Sequence, residues 1–237
     1  MRRIVVTGMG LVGPLGSGIE TSWKRLLDGK SGIRSLPDEI SNDLPVKIGG
    51  IVPSLIEDSE AGFDPDLIVD TKDQRKMDRF ILFALAAAKE ALETAGWHPT
   101  SDYERAHGDN YRLWYRRVSC YRFGSSHNGY TGARRLSPFT VPSFLANLAA
   151  GQVTIRHGFT GPIGTPVTAC AASVQAIGDA ARLIRSNEAD IALCGGAEAC
   201  IDKVSLGAFA AAEHYPPATI LPRNWRRGRS TPGAMVS

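Results

Sequence analysis

Residues 161–185 read GPIGTPVTACAASVQAIGDAARLIR, and their order decides the fold. Pro166 to Thr168 form an extended approach, the small residues around Cys170 a turn, and the rest an amphipathic helix. That helix is expected from Cys170 or Ala171 to about Ser186, with Val174, Ile177, Ala181 and Ile184 inward. A strand, DIALCGGAEA at 190–199, follows at once. Strand, tight turn, helix, strand is the pattern of an α/β layered domain. The turn puts a thiol at a helix N-terminus, where the positive end of the dipole favours thiolate and nearby N–H groups can hold an oxyanion. Spacing alone leaves two roles for Cys170, a nucleophile or a small buried core residue. Cys194 and Cys200, in or just after the strand, read as packing residues.

Outward from this unit the elements alternate. RIVVT at 3–7 is β-branched and runs into glycines, which predicts a buried strand and a turn. ETSWKRLLD at 20–28 predicts a short helix closed by Gly29. Residues 36–70 read as a loop excursion, with a strand-like VKIGGIV at 46–52. The strongest helix is expected over 72–95, where Met77, Phe80, Ala84, Ala88, Ala91 and Ala95 recur at three- and four-residue steps before Gly96 and Pro99. Its alanines predict close approach to a neighbour. SFLANLAA at 143–150 reads as another short helix.

Composition bounds the rest. The 237 residues are 43% hydrophobic and 22% charged, with a net charge of +3 that is too small to demand a polyanionic partner. The excess is local, because Arg223, Arg226, Arg227 and Arg229 fall in the last sixteen residues, which contain no acid. The four cysteines (Cys120, Cys170, Cys194, Cys200) show no CxxC spacing and no histidines at ligand distance, so neither a metal site nor a disulfide framework is expected. The longest apolar run, Ile81 to Ala88, is too short for a bilayer. Glycines and Pro14 interrupt any signal-peptide core near the start. Together these features read as a cytoplasmic protein without membrane contact.

TACAAS around Cys170 resembles the active-site motif of the elongating β-ketoacyl-acyl-carrier-protein synthases. VVTGMGLVGPLG at 5–16, LLDGKSGIR at 26–34, DQRKMDRFILFALAAAKEAL at 73–92, RRLSPFTVPSFLANLAAGQVTIRHGFTGP at 134–162 and DIALCGGAEA at 190–199 resemble the same family, in its order. The resemblance implies the N-terminal half of a thiolase-like α/β fold, with layered helices around a mixed sheet. It would span residues 1–212, with a non-family tail at 213–237 and no C-terminal half. It implies that Cys170 accepts an acyl group from acyl carrier protein, with its own backbone N–H as one oxyanion donor. Condensation with malonyl carrier protein would follow by decarboxylation. Phe209, in SLGAFAAA, matches a phenylalanine near the acyl pocket, although Ala208 stands where glycine is usual. No resident cofactor or metal is implied, since 4'-phosphopantetheine arrives on the carrier. The family pairs into homodimers, an expectation we do not carry to this chain.

The same resemblance implies what is missing. The family's two histidines and lysine for malonyl decarboxylation belong to its C-terminal half, and no motif here matches them. His98, His107, His127 and His214 fall in loops or anomalous stretches, and His157 matches a structural run. Condensing activity is therefore not expected of this chain.

Residues 103–130 depart from the surrounding composition, holding five of the six tyrosines (Tyr103, Tyr111, Tyr115, Tyr121, Tyr130) among arginines. The family has here a buried strand and glycine turn reading like TIIASGIGG. Codons for Asp109–Arg112 shifted by one base can give Thr-Ile-Ile-Ala, and Leu113–Arg117 can give Ser-Gly-Ile-Gly-Gly. The first of those glycines is forced by the single Trp114 codon followed by tyrosine. Trp225 to Thr231 can be recoded in the other frame to Leu-Ala-Ser-Arg-Pro-Phe-Asp. Residues from about 105 to 132 and from about 213 to 237 thus read as out-of-frame stretches of a synthase gene. A central strand rich in arginine then predicts a poorly folded or aggregation-prone product, because an unpaired buried charge costs several kcal/mol.

Two readings of other classes begin elsewhere. Gly8, Gly10 and Gly13 form a GxGxxG after a strand, the fingerprint of an NAD(P)-binding Rossmann domain. Pro14 and Gly16 interrupt the helix it requires, and the nearest acid, Asp38, sits in a proline loop. The alternation of arginine and aromatics over 103–130 suggests a single-stranded nucleic-acid-binding module, without any accompanying motif.

Overall fold

The computed structural model describes residues 2–97, 112–117 (as backbone), 137–159 and 161–212. The anomalous block beyond 112–117, the tail from 213, and His98, His107, His127 and His214 lie outside these residues.

In chain order the elements open with a hairpin, β1 (Val12–Gly13) and β2 (Gly16–Ser17), then α1 (Ile19–Leu27). A second small ladder pairs β3 (Arg34–Ser35) with β4 (Ile48–Gly49), around α2 (Asp38–Ser41). There follow α3 (Thr71–Gln74), α4 (Arg79–Thr94), β5 (Arg112–Arg117), α5 (Thr140–Phe144), α6 (Leu148–His157) and β6 (Ile163–Gly164). A 3-10 turn at Ala169–Ala171 leads into α7 (Ala172–Arg185), β7 (Ala192–Ala197) and α8 (Lys203–Ala211).

The main sheet has the order β6-β5-β7, all parallel, with Leu113 opposite both Ile163 and Leu193. Helices cover it on two sides. Leu193 and Ala197 of β7 join the large core built on α4 and α6. Gly196, of the opposite parity, lies under Ser173 of α7. Since successive strand residues face opposite ways, α4 with α6 and α7 occupy opposite faces, in three layers. The arginine-bearing strand Arg112–Arg117 takes the central place, laddered on both edges and contacted by α6 and α7. Residues 112–117 are thus an inner strand rather than an open edge, and the rest of the 103–130 block on which the nucleic-acid reading rests lies outside the described residues.

The helix expected over 72–95 is two helices. The Asp78 N–H donates to the Ser143 carbonyl (3.1 Å), and the Asp78 carboxylate then caps α4 by accepting from the Arg79 N–H (2.6 Å). A tertiary bond thus overrides the helical periodicity at the break. From there Phe80 to Ala86, Ala88 and Leu92 are buried, and Gly96, at φ 62, follows the helix end. The short helix expected at 143–150 is also corrected. Leu145 is extended (ψ 134), which splits α5 from α6, and α6 continues to His157 before the left-handed Gly158. Gly151 and the β-branched Val153, Thr154 and Ile155 disguised that continuation.

RIVVT is not a buried strand. Val5 and Val6 are 62% and 77% exposed, and among the described residues no strand pairs with 3–7. Further on the segment is held by side chains of α4 instead. Thr94 Oγ1 accepts from the Met9 N–H (3.1 Å) and donates to the Met9 carbonyl (3.0 Å). The Glu90 carboxylate accepts from the N–H groups of Leu11 (2.8 Å) and Ile19 (2.7 Å). That second bond caps α1, whose own N-cap, Gly18, has no side chain to do so.

This packing also accounts for the first two glycines of the GxGxxG, Gly8 and Gly10. A Cβ on Gly10 would strike the Ala87 carbonyl, and one on Gly8 the backbone of Ala91 and Ala95. Gly8 and Gly10 serve a close approach to α4, Gly13 has open space beside it, and a hairpin rather than a helix follows. The Rossmann reading is therefore overturned.

Candidate functional site around Cys170

Cys170 is the middle residue of the 3-10 turn between β6 and α7, and it is exposed. Ala169, immediately before it, has φ 46. A non-glycine residue in the left-handed region costs about 1–3 kcal/mol and persists where surrounding structure holds it. The Ala171 N–H donates to the Thr168 carbonyl (3.1 Å) and the Ala172 N–H to the Ala169 carbonyl. The Cys170 N–H makes no hydrogen bond among the described residues. It therefore stands available as an oxyanion donor beside the thiol.

Beyond the turn, α7 docks through alanines. Ala172, Ala176 and Ala180 are buried, and a Cβ added to Gly196 would lie 3.1 Å from the Ser173 Cβ. Small residues on both sides let helix and sheet approach closely, and this fixes which face of α7 turns inward. The expected inward stripe is accordingly corrected: Val174 and Ile177 are 72% and 54% exposed, and Ala181 and Ile184 are half-buried. Apolar bulk suggested the wrong face, whereas glycine and alanine spacing carried the right one. The buried Asp179 pairs with Arg182 and accepts from Gln175 Nε2 (3.5 Å), and Gln175 Oε1 accepts from the Thr168 hydroxyl (2.7 Å). Gln175 and Asp179 did not stand out in the sequence, because polar residues at four-residue steps on a helix are common.

The other candidates separate from Cys170. Cys194 in β7 is half-buried, and burial pushes its thiol above the ordinary value, which fits packing. Cys200 is disulfide-bonded, a correction to the expectation that cysteine spacing gave. His157 ends α6 beside Phe159, with burial and then Arg156 holding its imidazole below the usual range. Phe209 is half-exposed on α8. A cleft of about 760 Å³ opens between Gly10–Pro14 and Gly196–Lys203, over Arg79 and Phe83, and neither Cys170 nor Phe209 lines it. Among the described residues no group of three or more His, Cys, Asp or Glu could hold a metal. No helix among them is long and apolar enough to cross a membrane.

Residues 1–219 match the family described as β-ketoacyl synthase, N-terminal domain. The chain belongs to the β-ketoacyl synthase family. Over 89% of its length this synthase chain is 44% identical to 3-oxoacyl-[acyl-carrier-protein] synthase 2 of Rhizobium meliloti, covering 50% of that protein. It thus spans about half the length of the curated relatives it matches. A β-ketoacyl synthase of Burkholderia phymatum superposes on 90% of the chain with a TM-score of 0.72 at 24% identity, half of that structure being covered. A type II polyketide acyl-carrier protein in complex with its ketosynthase, bound to the hexaketide, matches with a TM-score of 0.65 at 19% identity. It covers 90% of this synthase chain and 55% of that one. These two likenesses establish the thiolase-like fold, and the chain corresponds to its N-terminal half.

Proposed function

We propose that Cys170 is the acyl-accepting nucleophile of a β-ketoacyl-acyl-carrier-protein synthase. The observation that carries this is the exposed thiol at the strand-to-helix turn, with the strained Ala169 before it and an unbonded N–H on Cys170 itself. In the transfer, Cys170 Sγ attacks the carbonyl carbon of the thioester on the carrier's 4'-phosphopantetheine. The tetrahedral oxyanion is held by the Cys170 N–H. The carbonyl-to-pantetheine C–S bond then breaks, the pantetheine sulfur leaves as the thiol with the proton that Cys170 gave up, and a new thioester remains on Cys170. The chain itself supplies no cofactor in this step.

The partner is acyl carrier protein, and the compartment is the cytoplasm, although the disulfide at Cys200 counts against a reducing compartment. Phe209 is assigned to the acyl chain by its match to the family motif. Condensation with malonyl carrier protein needs the family's histidines and lysine, which no motif in these 237 residues matches. Acylation without condensation is the expected outcome. Incubation with an acyl-carrier-protein donor should add the mass of one acyl group to the Cys170 peptide. Cys170→Ala should abolish the shift and Cys194→Ala should leave it. An unshifted Cys170 in protein whose thiol still reacts with iodoacetamide would overturn the reading. The out-of-frame origin of residues 105–132 is tested separately by the gene, whose codons must yield the family-like reading one base over.

A further inference from the structure

The turn bearing Cys170 is bridged by side chains that belong to neither the thiol nor the backbone. Thr168 lies two residues before Cys170, and Gln175 lies in the first turn of α7 after it. The Thr168 hydroxyl donates to Gln175 Oε1 at 2.7 Å, linking the two sides of the turn that holds the left-handed Ala169 and Cys170. An amide can face Thr168 with either its oxygen or its nitrogen, and Asp179 decides which. Its carboxylate is acceptor-only, so it takes the Gln175 NH2 (3.5 Å) and leaves the oxygen for Thr168. Asp179 is itself 6% exposed and paired with Arg182. A chain of three side chains thus runs from the buried Asp179 of α7 to the residue that opens the turn.

We propose that Gln175 is a positioning residue for Cys170, holding the 168–171 turn in the conformation that presents the thiol, with Thr168 as its contact and Asp179 as its anchor. The proposal rests on the reading of Cys170 as nucleophile, and it concerns only how the thiol is presented. The bond is solvent-exposed, so its effect is that of one ordinary hydrogen bond. It stabilises the turn directly, because without it Ala169 can relax towards negative φ and carry Cys170 with it.

The test is the rate of iodoacetamide labelling at Cys170 across pH 6–10, read by mass spectrometry of that peptide in the full chain. Thr168→Val and Gln175→Leu remove the bond at opposite ends. Each should change the labelling rate at fixed pH by roughly three- to tenfold, the range one net hydrogen bond supplies. The double variant should go no further than either single one. Thr168→Ser keeps the hydroxyl and should stay within twofold of the parent, which a role in packing alone would not produce. Parent-like labelling in both Thr168→Val and Gln175→Leu overturns the proposal, as does a change in Thr168→Ser as large as in Thr168→Val. If labelling responds as expected while no acyl group transfers, the positioning role stands and the acyl-transfer reading falls. Acyl transfer with unaffected labelling gives the reverse.

Discussion

Helices α4 and α7 are both alanine-rich and nearly equal in length, 16 and 14 residues, yet they live in different surroundings. Around α4 the N-terminal glycines press on one side and the core on the other, so Ile81 and Ala84 have no exposed surface. Helix α7 is buried on the alanine face alone, and its Val174 and Ile177 meet solvent. Alanine content therefore reports close approach, while what fills the far side decides how much each residue stabilises. The catalytic candidate sits at the start of the less enclosed helix, where its turn depends on polar side chains.

Identical truncations should expose the contrast most sharply. Ile81→Ala is expected to lower unfolding free energy by about 2–5 kcal/mol through lost burial and a residual cavity. Ile177→Ala is expected to stay within about 0.5 kcal/mol. Urea denaturation of the two variants measures both, and equal losses would break the comparison. Next in size is Gly10→Ala, whose methyl must displace the helix backbone at Ala87. Its expected loss is about 1–3 kcal/mol by the same measurement. A neutral outcome would mean that the N-terminal segment does not lie on α4.

The smallest effect concerns the clamp that holds the hairpin in place. Arg25 on α1 bonds the Leu15 carbonyl (2.9 Å) and pairs with Asp58, and this pairing draws the Asp58 carboxyl down from 3.8 to about 2. The folded value lies below the unfolded one, so the contribution is complete above pH 3.8 and is lost as pH falls towards 2. Denaturation midpoints measured from pH 5 to pH 2 should fall less steeply for Arg25→Met than for the parent chain. Parallel slopes would remove Asp58 from the acid transition.

Much of this was legible in the sequence, for identifiable reasons. The turn at Cys170 and the strand at 192–197 follow from local pattern, and Gly29 and Gly96 mark helix ends by conformations they readily adopt. The break at Asp78 was not legible, because it depends on a carbonyl 65 residues away, on Ser143. RIVVT has strand composition, but a ladder needs a neighbour and composition does not supply one. At the site, the thiol could be found from its motif. The link from Asp179 through Gln175 to Thr168 could not, since it exists only once the turn has brought 168 beside 175.

Glu90 has a further consequence, in the order of synthesis. Its carboxylate serves Leu11 and Ile19, partners separated from it by 79 and 71 residues of chain. At ribosomal rates of about 5–20 residues per second, those two N–H groups wait roughly 4–16 s for their acceptor to be made. Until Glu90 is made, Val5 and Val6 extend from a segment that α4 does not yet hold.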